Sequence, residues 1–204
     1  MPNTNQFLPV ALEHASRLIN HGPTVLVTSA HGTRRNIMAA AWSMPVEFTP
    51  ARIAVVIDKN TFTRELVAAS GHFALCLPGT ALVDLTYALG NTTGRTLDKF
   101  QHFGIATEPS AVLHLPVLSA GCAAWIECRL IPEPHSEDAY DTCFGEVVGA
   151  AADARIFRDG HWLFTDDNAE LQTIHHLGGG NFVRAGGVLR ATPLPTLQPP
   201  PPAA

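Results

Sequence analysis

A mainly β domain with flanking helices, its sheet closed or nearly closed into a barrel, is the fold that this 204-residue sequence predicts. Short runs of β-branched and apolar residues recur along the chain, separated by turn signals such as His31-Gly32, Thr49-Pro50 and Asp159-Gly160. Several of these runs are apolar on both faces. A barrel with covering elements buries both faces of such strands, whereas an open sheet with one wet face does not. Helical spacing is confined to a few short segments, and 46% hydrophobic against 15% charged residues is enough for one substantial core. Residues 1–190 are therefore read as one domain and residues 191–204 as a proline-rich tail.

Leu12, Ala15, Leu18 and Ile19 recur at helical spacing behind Pro9, and Gly22-Pro23 stops the helix they form. Strands are predicted over 24–29, 37–42, 52–57 and 73–77, where β-branched and apolar residues dominate. Between the last two lies a helix over 62–70, with Asn60 or Thr61 as its N-cap and Gly71 as its stop. Residues 81–89 form a second helix, 90–95 a polar loop and 98–103 a short third helix. Strands over 121–130, 142–150 and 155–164 complete the sheet, the last folding back on itself at Asp159-Gly160. Residues 132–140, with two prolines, His135, Glu137 and Asp138, are expected as a solvated acidic loop. The tail from Thr192 holds six of the sixteen prolines, four of them consecutive from Pro199, so polyproline II or disorder is expected there. Trp42, Trp125, Phe144 and Trp162 are expected in the core, with an interface as the alternative.

Composition excludes several classes of function. A net charge of −5, with no basic run longer than Arg34-Arg35, leaves no stripe for nucleic acid. No apolar run approaches the roughly 18 residues that span a bilayer. The polar start Met1-Pro2-Asn3-Thr4-Asn5 lacks a basic region before a hydrophobic stretch, so a cytoplasmic protein without a membrane partner is expected. Cys76, Cys122, Cys128 and Cys143 stand in apolar surroundings without Cys-x-x-Cys spacing and read as buried thiols. The ten histidines show no His-x-x-x-His spacing, and the adjacent His175 and His176 would point to opposite faces of a strand, so no metal site is expected. Neither a Gly-x-Gly-x-x-Gly nor a Gly-Lys-Ser/Thr motif occurs, which argues against a dedicated dinucleotide or P-loop domain.

Two neighbouring stretches carry the chemistry. In Asn36-Ile37-Met38-Ala39-Ala40-Ala41-Trp42-Ser43, small residues on a strand leave main-chain N–H and C=O groups uncovered for a planar ligand, next to a flat aromatic. Lys59-Asn60-Thr61-Phe62-Thr63-Arg64 opens a helix with hydroxyls and cations. The first N–H groups of a helix have no internal partner and sit at the positive end of its dipole, so the start of this helix suits an anion. Thr61 and Thr63 would add hydroxyl bonds, and Lys59 and Arg64 charge-assisted ones. An ordinary capped helix is the other reading of this stretch.

Residues 36–48, the Thr-Phe-Thr-Arg-Glu-Leu run after Lys59, Asp98-Lys99-Phe100 and Phe144-Gly145-Glu146-Val147-Val148, in this order, resemble the flavin reductase-like, FMN-binding split-barrel family, which includes the flavoredoxins. The resemblance spans about residues 20–190 and implies a Greek-key-like split β-barrel. It implies Asn36 and Trp42 as isoalloxazine or ribityl contacts, Thr61 and Thr63 as phosphate ligands around Phe62, and Lys99 as a further cofactor contact. Phe182, after Gly178-Gly179-Gly180-Asn181, resembles an aromatic that flanks the flavin. Ala39 and Ala41 stand where the family pattern usually has Thr and Ser, so contacts over Ala39, Ala40, Ala41 and Ser43 would be through the backbone. Tyr140 stands where a His is usual before the Gly-Glu-Val strand.

A flavin carries hydride and electron chemistry itself, so no catalytic acid or base is required of the protein. The resemblance implies an NAD(P)H-dependent FMN reductase acting by hydride transfer to flavin N5, with NADH or NADPH bound over the flavin in a small site. Such an enzyme could supply reduced flavin to a flavin-dependent monooxygenase. A tight-FMN electron carrier and a non-catalytic small-ligand binder stay open beside it. A homodimer that completes the flavin pocket is implied by the same resemblance.

Overall fold

Strands that are apolar on both faces need cover on both sides, and the computed structural model, which describes residues 7–192, meets that demand by wrapping one sheet around a core and laying helices outside it. In chain order the first half holds β1 (Phe7–Pro9), α1 (Leu12–Ala15), β2 (Val25–His31), β3 (Arg34–Ala40), β4 (Ser43–Phe48), β5 (Ala51–Val56), α2 (Phe62–Ser70) and β6 (His72–Pro78). The second half holds α3 (Val83–Gly90), α4 (Lys99–His102), a small hairpin of β7 (Thr107–Pro109) and β8 (Pro116–Leu118), and the long strands β9 (Cys122–Ile131) and β10 (Thr142–Asp153). Helix α5 (Pro134–Tyr140) joins those two strands, and the hairpins β11 (Phe157–Arg158) with β12 (His161–Trp162) and β13 (Ile174–Gly178) with β14 (Asn181–Arg184) follow.

The sheet runs in the order β3-β2-β6-β9-β10-β5-β4, every pairing antiparallel, with β1 added along β10. Its two outermost strands, β3 and β4, are joined by Ala41 and Trp42 alone, so the ends of the sheet must meet and the sheet curls. Val25, Val27, Ile53, Val55, Phe73, Leu75, Ile126 and Val147 fill the inside of the curl. Alternate positions of the same strands, Leu26, Ala74, Cys76 and Trp125, face outward and pack with Leu89 of α3 and Phe100 of α4. Burying each large aliphatic or aromatic side chain contributes about 1.5–3 kcal/mol. Among the described residues no ladder joins β3 to β4, so one edge of β3 is left open.

Several elements differ from the sequence expectation for identifiable reasons. The strand predicted over 37–42 begins at Arg34 and ends at Ala40, and residues 43–48, for which no element was predicted, form β4. Pro45 is tolerated there because β4 is an edge strand with a register shift beside that proline. Trp42, expected in the core, lies in the β3–β4 turn with 75% of its surface exposed, whereas Trp125 is buried as expected. The acidic loop over 132–140 is instead mostly α5: Pro134 occupies its first turn, the Glu137 carboxylate accepts from the Glu133 N–H at 2.9 Å, and Asp141 ends it at φ 54°. The first helix is one α turn followed by a 3₁₀ turn over Ser16–Leu18. Asp159 and Gly160, at φ 51° and 73°, make the tight turn between β11 and β12. From residue 193 onward the proline-rich tail lies outside the described residues.

Helix α2 packs on β2 and β3 and is pinned from behind. The buried Arg64 guanidinium donates to Glu137 Oε2 at 2.5 Å and to Cys143 Sγ at 2.6 Å, tying α2 to α5 and β10. Glu137 is thus a partner in a largely buried ion pair, not a solvated charge. Arg64→Ala would leave that carboxylate buried without its cation, and we expect a loss of about 3–5 kcal/mol of stability in urea unfolding; a loss below about 1 kcal/mol would show that the pair does not hold α2 in place.

Candidate functional site

The start of α2 is capped by its own sequence. Thr61 Oγ1 accepts from the Arg64 N–H at 3.2 Å and donates to the Asp58 carbonyl at 2.8 Å, which leaves its hydroxyl no proton for a ligand. The Phe62 and Thr63 N–H groups are the donors this cap leaves over, and among the described residues neither has a partner. Thr63 is fully buried, and its Oγ1 accepts from Asn36 Nδ2 at 2.9 Å. Asn36 Oδ1 is buried with no partner among the described residues. A Cβ at Gly94 would sit 2.0 Å from that oxygen, so a larger residue there would have to displace the Asn36 side chain.

Lys99 completes this end. It is 3% exposed, and its Nζ donates to the carbonyls of Ile37 at 2.9 Å and Leu89 at 2.8 Å. Among the described residues no carboxylate pairs with it, and burial pulls its pKa down from 10.5 to about 8. Two of the three ammonium protons are used, so one remains. Asp98 orients the lysine by capping α4, its Oδ1 accepting from the N–H groups of Phe100 and Gln101 at 2.9 and 3.2 Å. Asn36, Thr61, Phe62, Thr63, Arg95 and Lys99 are among the walls of a cavity of about 360 Å³.

A second cavity of about 380 Å³ continues from the first, since Ala39, Gly90 and Asn91 line both. Its walls include Ala40, Ala41, Thr86, Tyr87, His176 and Phe182. The Ile37 carbonyl that meets Lys99 points away from β2. Because the N–H and C=O of one strand residue share a side and alternate along the strand, those of Ala39 face the same open edge. Phe182 lies 5.0 Å from His176 across the β13–β14 hairpin, and Gly180 abuts the Tyr87 ring. The Thr86 hydroxyl is buried without a partner among the described residues. The outcome is one groove, cationic and rich in donors at one end, apolar and walled by small and aromatic residues at the other.

Of the residues singled out in the sequence, Asn36, Ala39, Ala40, Ala41, Thr61, Phe62, Thr63, Lys99 and Phe182 line this groove. Trp42, Ser43 and Lys59 do not line it. The chain leaves β3 at Ala40, the Trp42 carbonyl is held by the Val56 N–H at 3.0 Å, and the indole projects to solvent. Ser43 opens β4 and pairs with Val55. The Lys59 ammonium is taken by the Asp138 carbonyl and lies 3.7 Å from the Asp141 carboxylate, which draws it toward α5. Arg64, an expected anion contact, points inward to Glu137. Thr86, Tyr87, His176 and the 91–95 loop were not anticipated as site residues; the two threonines and Gly94 of that loop are the signal that could have marked it.

A curled sheet with a cationic, donor-rich groove on an open strand edge is the frame of a split barrel. Residues 17–168 match the flavin reductase like domain, and the chain belongs to that family. It is 54% identical over 184 residues to the uncharacterized protein YddH of Escherichia coli K12, covering 89% of this chain and 96% of that one. The structure matches the FMN-binding domain of a flavin reductases-like enzyme from Shewanella baltica OS155 with a TM-score of 0.89 and 39% identity, over 93% of this chain and 99% of the other. It matches the flavoredoxin of Desulfovibrio vulgaris (Miyazaki F) with a TM-score of 0.72 and 25% identity, over 83% and 90% of the two chains. The mainly β, split-barrel fold with flanking helices is therefore the fold of this protein.

The Lys99 geometry fixes the sign of a pH effect. Its cation is present below its pKa of about 8 and lost above it, so an anion held beside Lys99 would be held less tightly there. Sulfate, whose charge is constant over this range, should bind progressively more weakly in calorimetry as pH rises through about 8, and Lys99→Met should flatten the dependence; a pH-independent affinity in the unaltered protein would remove Lys99 from the anion site.

Proposed function

We propose that the protein binds FMN in this groove and works as an NAD(P)H-dependent flavin reductase. One observation carries the reading: in a chain of the flavin reductase-like family, a buried cation with no carboxylate partner among the described residues, Lys99, shares a groove with an open strand edge of small residues. The residues present fit such a ligand. Lys99, Asn36 and the free N–H groups of Phe62 and Thr63 supply charge and hydrogen bonds for a phosphate, so Thr61 serves as cap and Thr63 as support for Asn36. The backbone edge at Ala39 and the side chains of Phe182 and Tyr87 suit a planar ring, and the unpaired Thr86 hydroxyl offers it a polar contact.

Bound FMN would supply the hydride and electron chemistry, which leaves the chain to bind, orient and shield. Backbone donors along β3 would favour added negative charge on the ring. NADH or NADPH is the proposed donor, and a flavin-dependent monooxygenase the proposed consumer of reduced flavin. A cytoplasmic location belongs to the same reading, supported by four cysteines that are buried and unpaired. The freshly purified protein should show flavin bands in visible absorbance that bleach when NADH or NADPH is added without oxygen. Bands that persist with both donors would point to an electron carrier reduced by another protein, and a colourless protein that takes up no added FMN would refute the cofactor.

A homodimer is part of the proposal. Trp42, Met44, Val46 and Phe48 are all exposed, at 75%, 58%, 40% and 71%, on edge strand β4 and the turn before it. Exposed apolar edge strands are normally covered, and this one is continuous with the turn at the apolar end of the groove. Sedimentation should give a dimer that Met44→Asp with Phe48→Asp converts to monomer without loss of the β signal in circular dichroism; a monomeric unaltered protein would exclude this interface.

A further inference from the structure

A cavity of about 730 Å³ shares no wall residue with the groove proposed for flavin. Strand β13 stands between the two: its neighbours His175 and His176 point to opposite sides, His176 to the groove and His175 to this cavity. Much of the wall is aromatic. Trp162 and Phe164 are half-buried and stack with ring centres 4.9 Å apart and planes 14° from parallel. His21 sets its edge against both, at 5.1 and 6.0 Å, and lies 5.5 Å from His175. Burial first, and His175 second, pulls the His21 pKa from 6.5 down to about 4, so at neutral pH its ring is uncharged like its neighbours.

No carboxylate stands among the described residues that wall the cavity, and Arg17 brings donors to it. Arg17 Nη1 donates to the Gly160 carbonyl at 3.0 Å, and the Trp162 indole N–H donates to the Arg17 carbonyl at 2.9 Å. These two bonds hold Arg17 beside the rings and leave most of its five guanidinium protons for an acceptor. The remaining wall is the chain itself as it leaves β14. The Ala185 N–H donates to the Thr173 carbonyl at 2.9 Å, and Gly186, Gly187 and Val188 then line the cavity. Val188 and Leu189 are 61% and 96% exposed, so the chain leaves the cavity with apolar side chains uncovered.

The sequence that follows has the chemistry this cavity lacks. Residues 193–204 hold six prolines and no charged side chain. Pro199, the first of four consecutive prolines, comes eleven residues after Val188, a stretch that spans up to about 36 Å and so can turn back to the rings. A polyproline segment is preorganised, presents apolar ring faces and unpaired carbonyls, and docks in aromatic grooves that carry donors. Tethering holds it near the cavity at an effective concentration on the order of mM, so weak contacts suffice.

We propose that this cavity receives the chain's own proline-rich tail, with Pro199 to Pro202 packed on Trp162, Phe164 and His21 and their carbonyls accepting from Arg17. The proposal does not depend on the flavin reading. Its test is nitrogen-15 NMR relaxation on the full chain. The Leu194, Thr196, Leu197 and Gln198 amides should have order parameters near the rigid-backbone value of about 0.85, and these should fall below about 0.6 in Pro200→Gly/Pro201→Gly and in Trp162→Ala. In the proline variant the Trp162 indole and the 186–188 amides should shift while Gly90 and Asn91 in the flavin groove stay in place. Order parameters below about 0.6 in the unaltered chain would overturn the proposal and leave the cavity to another occupant. An ordered tail whose release shifts the Trp42 indole and not that of Trp162 would overturn it too, by placing the tail on the β4 face. The proline variant alters no residue of the described fold, so it decides the matter should Trp162→Ala fail to fold.

Discussion

Among the described residues strand β3 has a sheet partner on one side only, and the groups on its other side need hydrogen bonds from elsewhere. Lys99 provides one by donating to the Ile37 carbonyl, the start of α2 is brought up through Asn36 and Thr63, and the C-terminal end of α3 closes in through the Leu89 carbonyl. The groove is what remains of that edge once these elements are in place. Its position follows from the curl of the sheet, which brings β4, the next strand in sequence, round to the far edge and leaves the outer edge of β3 without a ladder among the described residues.

Two buried charges illustrate the difference between holding a fold and serving a site. Glu127 is fully buried, and its carboxylate accepts from Ser110 Oγ at 2.6 Å and from the N–H groups of Val112 and Leu113. Those donors match the charge, and it anchors the segment after β7 to β9. Lys99 has carbonyls but, among the described residues, no counter-charge, and it lines a cavity. A buried cation left in that condition costs free energy in the unliganded protein, and an anion in the cavity would offset the cost.

The candidate site divides along the same lines in what could be read beforehand. Thr61, Phe62 and Thr63 were legible because a helix start is written locally, in a cap and the residues just behind it. The roles within that start were not legible. Whether a threonine hydroxyl faces a ligand or caps the helix depends on which partner reaches it, and Thr61 is taken by Asp58 and Arg64. Lys59 and Arg64 look equivalent as cations in sequence, yet each is claimed by α5 or the residue after it, an element that the run Pro-Glu-Pro-His conceals. Thr86 and His176 come from distant segments, and only the packing of α3 and the β13–β14 hairpin against β3 brings them together.

By itself the sequence determined the fold class, the order of most elements and the capped start of α2, because hydrophobic periodicity, caps and turn dipeptides act over a few residues. It also placed the chain in its family through short segments in register. The tertiary structure alone decided that Trp42 faces solvent, that residues 134–140 form a helix supplying a buried carboxylate, and that Arg34, Arg35 and Arg95 converge beside Phe62. Those outcomes depend on which strands lie at the edges of the sheet and which side chains win each buried charge, contacts between residues tens of positions apart that local pattern does not encode.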